Sequence, residues 1–188
     1  MNKEIEVKFN IKNKKAIEEQ LEIWGWTRHP RYLSLTYGFF SKDSIEKGIF
    51  PRVRLEGKNL EITVKVKNSD RTDFFERDEY TVQILGGTMR SKIEQADEMI
   101  KIFQALGYDK IRKFEKERTV WTGNTQLQIC IDELPFGNYI EIEGEPLEID
   151  EMVGDLKLKG ERITKSYLGV YEDHCKKNGF PIKDDVVF

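Results

Sequence analysis

Cysteine and histidine are scarce in this chain. Among 188 residues only Cys130, Cys175, His29 and His174 belong to these two types. Two thiols make neither a disulfide framework nor a structural zinc site, and two imidazoles are too few for a typical His-based metal centre. With five Pro, fourteen Gly and no repeat, collagen-like and low-complexity architectures are excluded. No apolar run approaches the roughly 20 residues needed to cross a bilayer. The first residues, charged at Lys3, Glu4, Glu6 and Lys8, lack the apolar stretch of a signal peptide. The expected location is the cytoplasm, with no membrane partner. An excess of one charge is missing too. Lys and Arg total 31 against 34 Asp and Glu, which gives no broad basic face for nucleic acid.

What is present suffices for a core. Eleven Phe, seven Tyr and three Trp accompany the high charge content, and the length suits one sizeable domain over 1–188. Residues 3–9 alternate strictly, with Ile5, Val7 and Phe9 opposing Glu4, Glu6 and Lys8, the period of a strand. A helix is expected at about 13–25, capped by Asn13 and stopped at Gly25. Strands follow at 27–41, 50–57, 60–67 and 74–85, with Asn68-Ser69-Asp70 as a turn. A second helix at 89–106 carries the stripe Ile93, Ala96, Ile100, Phe103 and Leu106. Strands at 110–122, 125–133 and 138–145 come next, the first two joined by the hairpin signal Gly123-Asn124. Residues 148–179 read as helix with a break at Gly160. The order describes an α+β domain around an antiparallel sheet.

The polar strand faces are the informative part. They carry Arg, Lys and Glu in R-x-R, K-x-K and E-x-E patterns, while the helices need the apolar faces to pack on. About eight such strands can close into a barrel that holds side chains or one small ligand. Burying so many charges is costly unless a ligand of mixed charge compensates them. A polyphosphate with divalent metal ions meets that need. Arg and Lys neutralise phosphate oxygens, and carboxylates supply the hard oxygens that Mg²⁺ or Mn²⁺ prefers.

The residues also resemble a known family. Glu4-Ile-Glu6-Val-Lys8 is similar to the E-x-E-x-K signature of the CYTH superfamily, the triphosphate tunnel metalloenzymes. In the family's order there follow Arg52-Val-Arg54, Thr63-Val-Lys65, Arg77-Asp-Glu79, Lys116-Glu-Arg118, Asp132, Glu141-Ile-Glu143 and Lys165-Ser166-Tyr167. The resemblance implies an eight-stranded antiparallel tunnel with a charged interior and helices outside. It also implies a small-molecule triphosphate as substrate and Mg²⁺ or Mn²⁺ as cofactor. By the same resemblance Glu4, Glu6, Glu79, Asp132, Glu141 and Glu143 are metal ligands. Lys8, Arg52, Arg54, Lys65, Lys116, Arg118 and Lys165 are phosphate ligands, with Lys8 and Lys65 catalytic. Phe75-Glu76-Arg77, Ala105-Leu-Gly107-Tyr108, Cys130-Ile-Asp132-Glu133 and Gly137-Asn-Tyr-Ile-Glu141 look most like the class IV adenylyl cyclase and thiamine triphosphatase branch.

Two departures stand out. Leu35-Thr36-Tyr37 lacks the Asp that many relatives carry before the tyrosine, which leaves the role of Tyr37 open. Trp121 replaces a frequent Tyr and is expected to alter how a base or thiamine ring stacks. The activity implied is metal-dependent hydrolysis of tripolyphosphate, thiamine triphosphate or a nucleoside triphosphate. The alternatives are cyclisation of ATP to cyclic AMP and pyrophosphate, and binding without turnover. Monomer and homodimer both remain open.

Overall fold

Alternating strands with one charged and one apolar face have two ways to hide the apolar side, and this chain closes the sheet on itself and covers the outside with helices. The computed structural model describes residues 2–57, 59–67 and 72–188, so the Asn68-Ser69-Asp70 turn lies outside the described residues. In chain order the elements are β1 (Asn2–Asn10), α1 (Lys14–Ile23), β2 (Thr27–Arg28), β3 (Tyr32–Phe40), α2 (Lys42–Glu46), β4 (Ile49–Glu56), β5 (Asn59–Lys67) and β6 (Phe75–Ile84). Then come α3 (Met89–Ala105), β7 (Lys110–Thr122), β8 (Gln128–Leu134), β9 (Gly137–Glu143), α4 (Pro146–Asp155), α5 (Tyr167–Asn178) and β10 (Asp185–Val186).

Eight of these strands run antiparallel in the order β7-β3-β4-β5-β6-β1-β9-β8, and the β7–β8 pairing closes the barrel. β1 divides its two edges unequally. Asn2 to Glu6 pair with Glu79 to Phe75 of β6, and Glu6 to Asn10 pair with Glu143 to Tyr139 of β9. The edge that β6 leaves beyond Glu6 is taken by Ile163, which exchanges two backbone hydrogen bonds with Lys8 (3.2 and 2.9 Å). β2 and β10 are short additions to β7, β10 being parallel to it.

The outside is apolar by the same alternation. Val7, Ile129, Ile140 and Ile142 meet Leu21 of α1 and Ile149 of α4 in one cluster, all fully buried. Phe39, Val53, Leu55 and Leu60 meet Ala96 and Phe103 of α3 in a second, where the Phe39 and Phe103 rings stack at 4.4 Å. Burying each such side chain contributes about 1.5–3 kcal/mol. α5 packs through Tyr167, Val170, Tyr171 and Cys175 against Leu134, Tyr139, Phe114 and Phe136. Capping boxes start α2 at Ser41 and α3 at Thr88.

The structure departs from the expected helix over 148–179. Residues 156–166 are not helical, because the Ile163 bridge to β1 uses backbone groups that a helix would need for itself. The expected strand over 27–41 is interrupted between Arg28 and Tyr32, and α2 and β10 had no expectation behind them.

Candidate functional site

Register places the charged residues on the inner wall. Opposite one another across β4 and β5 stand Arg54 and Glu61, and Arg52 and Thr63, while Lys65 meets Glu79 across β5 and β6. Across β1 and β9 Glu6 faces Glu143 and Lys8 faces Glu141, and Arg118 faces Asp132 across β7 and β8. Inside lies a cavity of about 420 Å³, within the usual span of ligand pockets, roughly 300–1,000 Å³. Its wall includes Glu4, Glu6, Lys8, Arg52, Arg54, Lys65, Glu79, Lys116, Arg118, Glu141 and Glu143.

Among the described residues, six cations of the wall pair with carboxylates, and Arg77 lies over the Phe50 and Phe75 rings instead. Arg52 donates to Glu61 (3.1 Å) and Glu79 (3.0 Å). Arg54 pairs with Glu61 at 2.8 Å and Glu56 at 3.2 Å. Lys65 donates to Glu4 at 2.6 Å and lies 3.4 Å from Glu79. Lys8 pairs with Glu6 and, at 3.4 Å, with Glu141. Arg118 donates to both oxygens of Asp132 (2.7 and 2.6 Å) and to Glu141 (2.7 Å). Lys116 adds a 3.1 Å bond to Asp132, and the Tyr167 hydroxyl donates to the same carboxylate at 2.7 Å.

The carboxyl groups divide into two kinds. For Glu141, Asp132 and Glu4 burial acts upward, but neighbouring cations outweigh it. Arg118 with Lys8 holds Glu141 well below the carboxylate range, Arg118 with Lys116 lowers Asp132, and Lys65 lowers Glu4. Glu6 and Glu143 go the other way. Burial, with Glu141 and Glu4 as like-charged neighbours, pushes Glu6 up to about 8. Burial, Glu4 and Glu141 push Glu143 up to about 7. Lys8 is raised, since Glu6 and Glu141 outweigh the effect of its burial. It therefore stays a cation at neutral pH.

Two of the expected site residues stand apart. Lys165 does not line the cavity: its side chain is 58% exposed and its Nζ donates to Asp173 at 2.6 Å. The next residues, Ser166, Tyr167 and Leu168, turn inward instead. Asp132 is not part of the cavity lining, and its fully buried carboxylate accepts hydrogen bonds from Arg118, Lys116 and Tyr167. Tyr37 and Trp121 occupy the opposite parity and face outward, Tyr37 into the α3 cluster and Trp121 into the α1–α4 cluster. Neither can stack on a ligand inside. Sequence reasoning missed Glu61, which joins Arg52 and Arg54, although Glu61 sits two residues before Thr63 and so on the same face. It also missed Tyr167, which only the course of α5 brings to the wall.

Comparison with known proteins agrees with this geometry. The CYTH domain profile matches residues 2–161. The chain belongs to the CYTH domain family. No curated protein matches it. Among solved structures, the PH1012 protein of Pyrococcus horikoshii shares 21% identity over 87% of this chain and 96% of its own, with a TM-score of 0.66. A candidate adenylate cyclase from Vibrio parahaemolyticus shares 16% identity over 90% and 97%, at TM-score 0.68. A candidate adenylyl cyclase from Hippeastrum, described as having a dominant triphosphatase activity, shares 15% identity over 96% and 98%, at TM-score 0.59. These likenesses establish the CYTH tunnel fold, and membership of the family supports a triphosphate-related activity in general.

Proposed function

We propose that this chain is a divalent-metal-dependent triphosphate hydrolase, with the barrel cavity as its active site and residues 1–188 as one catalytic unit. One observation carries the reading. Cations and carboxylates alternate around a single cavity, and the set has capacity left over. Among the described residues, Nε of Arg52 and Nη1 of Arg77 are buried without a hydrogen-bond partner. An unsatisfied buried donor costs about 1–3 kcal/mol, and phosphate oxygens would satisfy it.

The carboxylates fit a divalent cation. Glu6 and Glu143 hold protons near neutrality because burial, with neighbouring acids adding to it, disfavours their charged forms. Glu4, Glu6, Glu79, Glu141 and Glu143 would hold Mg²⁺ or Mn²⁺ through hard oxygens. Among the described residues no three of these acids already surround a common point, so their ion pairs with Lys and Arg must open first. When bound, a divalent ion neutralises charge that develops on phosphate oxygens. The chain's own residues do the rest. Arg52, Arg54 and Lys65 leave their carboxylates for the phosphate chain, Lys116 and Arg118 meet it from their anchor on Asp132, and the arginines can grip it in bidentate fashion. Lys8 contributes as a fixed cation and not as a proton acceptor, in keeping with its raised pKa. Lys8 and Lys65 thus act by stabilising transition-state charge. Water is the nucleophile, and positioning of the terminal phosphorus is the main contribution.

Cyclisation of ATP is the second reading, favoured by the likeness to the Vibrio protein and by Phe40, Phe50 and Phe75, which join the charged residues in lining the cavity. The triphosphatase activity named for the Hippeastrum protein supports hydrolysis. Phosphorus NMR with Mg²⁺ or Mn²⁺ and tripolyphosphate, thiamine triphosphate or ATP separates the two. Orthophosphate is the expected product. Pyrophosphate with cyclic AMP would replace hydrolase by cyclase, and no product from any substrate would reject both.

A further inference from the structure

One acid of the wall stands apart from the others. Glu61 faces Arg54 across β4 and β5 and Gln83 across β5 and β6, and it lines the cavity. Its Oε1 accepts hydrogen bonds from Nη2 of Arg52 at 3.1 Å and from the Thr63 hydroxyl at 2.9 Å. Nη2 of Arg54 lies 2.8 Å from the same oxygen. Thr63 is held in its turn, 3.1 Å from the Thr81 hydroxyl. Two guanidinium groups and a hydroxyl thus converge on one carboxylate oxygen. A phosphate oxygen takes the same kind of donors.

Neutralising the arginines does not by itself call for this acid. Arg52 also donates to Glu79 at 3.0 Å, and Arg54 has Glu56 at 3.2 Å. Glu61 differs from the crowded acids as well. Glu4, Glu6 and Glu143 each feel the charge of Glu141. At Glu61 burial acts upward, and Arg54, Arg52 and the Thr63 hydroxyl outweigh it, so it stays an anion among cations. A phosphate oxygen that reaches Arg52 and Arg54 together must share or displace this carboxylate, and two anions at such a distance repel.

We propose that Glu61 is an internal competitor: its carboxylate occupies Arg52 and Arg54 in the empty tunnel and lowers the affinity of the site for phosphate oxygens. The inference rests on the triphosphate reading of the cavity and adds what sets its affinity. The same carboxylate returns to the arginines as product phosphate leaves, which speeds release. An acid that merely held the arginines in place would strengthen phosphate binding. The two roles therefore predict changes of opposite sign when the charge is removed.

The test compares wild type, Glu61→Gln and Glu56→Gln. Glutamine keeps the length and an acceptor oxygen, and Glu79 and Glu56 still compensate the two arginines in Glu61→Gln. Calorimetric titration with tripolyphosphate in EDTA avoids turnover. Glu61→Gln is expected to bind about tenfold tighter than wild type, the low end of what a hydrogen bond to a charged group contributes. Glu56→Gln removes the same charge beside Arg54 from a residue outside the cavity lining, and is expected to tighten binding much less. In Mg²⁺ buffer KM and kcat of Glu61→Gln should both fall, and added pyrophosphate should inhibit it more than wild type. Weaker, unchanged or absent binding by Glu61→Gln, or equal tightening in Glu56→Gln, overturns the proposal. Glu61→Thr, neutral and suited to a strand, gives the same reading should the glutamine variant fail to fold. If no triphosphate is turned over, the hydrolase reading fails by itself, and the titration in EDTA still decides this inference.

Discussion

Arg118 and Asp132 face each other across β7 and β8, and the guanidinium closes on the carboxylate with two hydrogen bonds, 2.7 Å from Nε and 2.6 Å from Nη2. Lys116 and Tyr167 bind the same carboxylate, so one buried anion serves three donors from two elements. Asp132→Asn keeps the shape and removes the charge, leaving Arg118 and Lys116 buried with less compensation. Loss of one partner from a buried pair costs about 3–5 kcal/mol. Denaturant unfolding of wild type and variant should show a loss of that size. A change under about 1 kcal/mol would mean the anchor is dispensable.

Glu6 sets a pH dependence whose sign follows from its position. Its carboxyl titrates at about 8 in the fold against 4.5 ordinarily. A carboxyl that holds its proton more tightly when folded contributes stability that is fully present below the unfolded value and is lost as pH rises through the folded one. Metal-free Glu6→Gln should therefore gain stability relative to wild type between about pH 5 and about pH 9, by a few kcal/mol at most. Thermal unfolding in EDTA across that range checks it, and an opposite slope rejects it. Mg²⁺ should raise the wild-type Tm more at about pH 8.5 than at about pH 6, since the ligands must be deprotonated to bind it.

Position on the wall, not charge alone, should decide which basic residues matter. Arg54 lines the cavity and holds Glu61, so Arg54→Ala is expected to lower kcat/KM for triphosphate hydrolysis by about 10²–10³. Lys165 pairs on the surface with Asp173, and an exposed pair contributes little. Lys165→Ala should stay within about twofold of wild type. Orthophosphate release from the two variants side by side is the measurement, and a large loss in Lys165→Ala would move that residue back to the site.

Cys130 is buried on the inner face, and burial pushes its thiol up to about 12 against the opposing pull of Arg118. The thiolate is the reactive form. Cys175 is also buried. An aromatic disulfide reagent at neutral pH should find no reactive thiol in the native protein and both after unfolding in guanidinium. Rapid reaction of a native thiol would contradict this packing.

Much of the barrel was legible because a strand writes its two faces alternately into the chain. Glu4, Glu6 and Lys8, Arg52 and Arg54, and Glu141 and Glu143 all take the wall position that their parity requires. Parity also carried the inward phenylalanines and Glu61, but single positions on a face look alike until the register says what they meet. Tyr37 and Trp121 had the outward parity from the start, and the resemblance to relatives drew attention to them where alternation pointed elsewhere. Lys165 and Tyr167 are two residues apart where the chain enters α5. Which of them turns inward depends on how α5 packs against Phe114 and Leu134, a contact between parts of the chain far apart in sequence.

The sequence by itself determined the periodicity of the strands, the apolar faces that helices must cover and the two-sign charge of the wall, since each follows from side-chain chemistry repeated at a local spacing. Only the tertiary structure decided the rest. Closing β7 on β8 made Asp132 an anchor for Arg118 and Lys116. The Ile163 bridge to Lys8 holds the chain before α5 against β1, and the packing of α5 on Phe114 and Leu134 turned Tyr167 to the wall. Those outcomes depend on which distant groups compete for the same hydrogen bonds and buried volume, and that competition exists only once the barrel has closed.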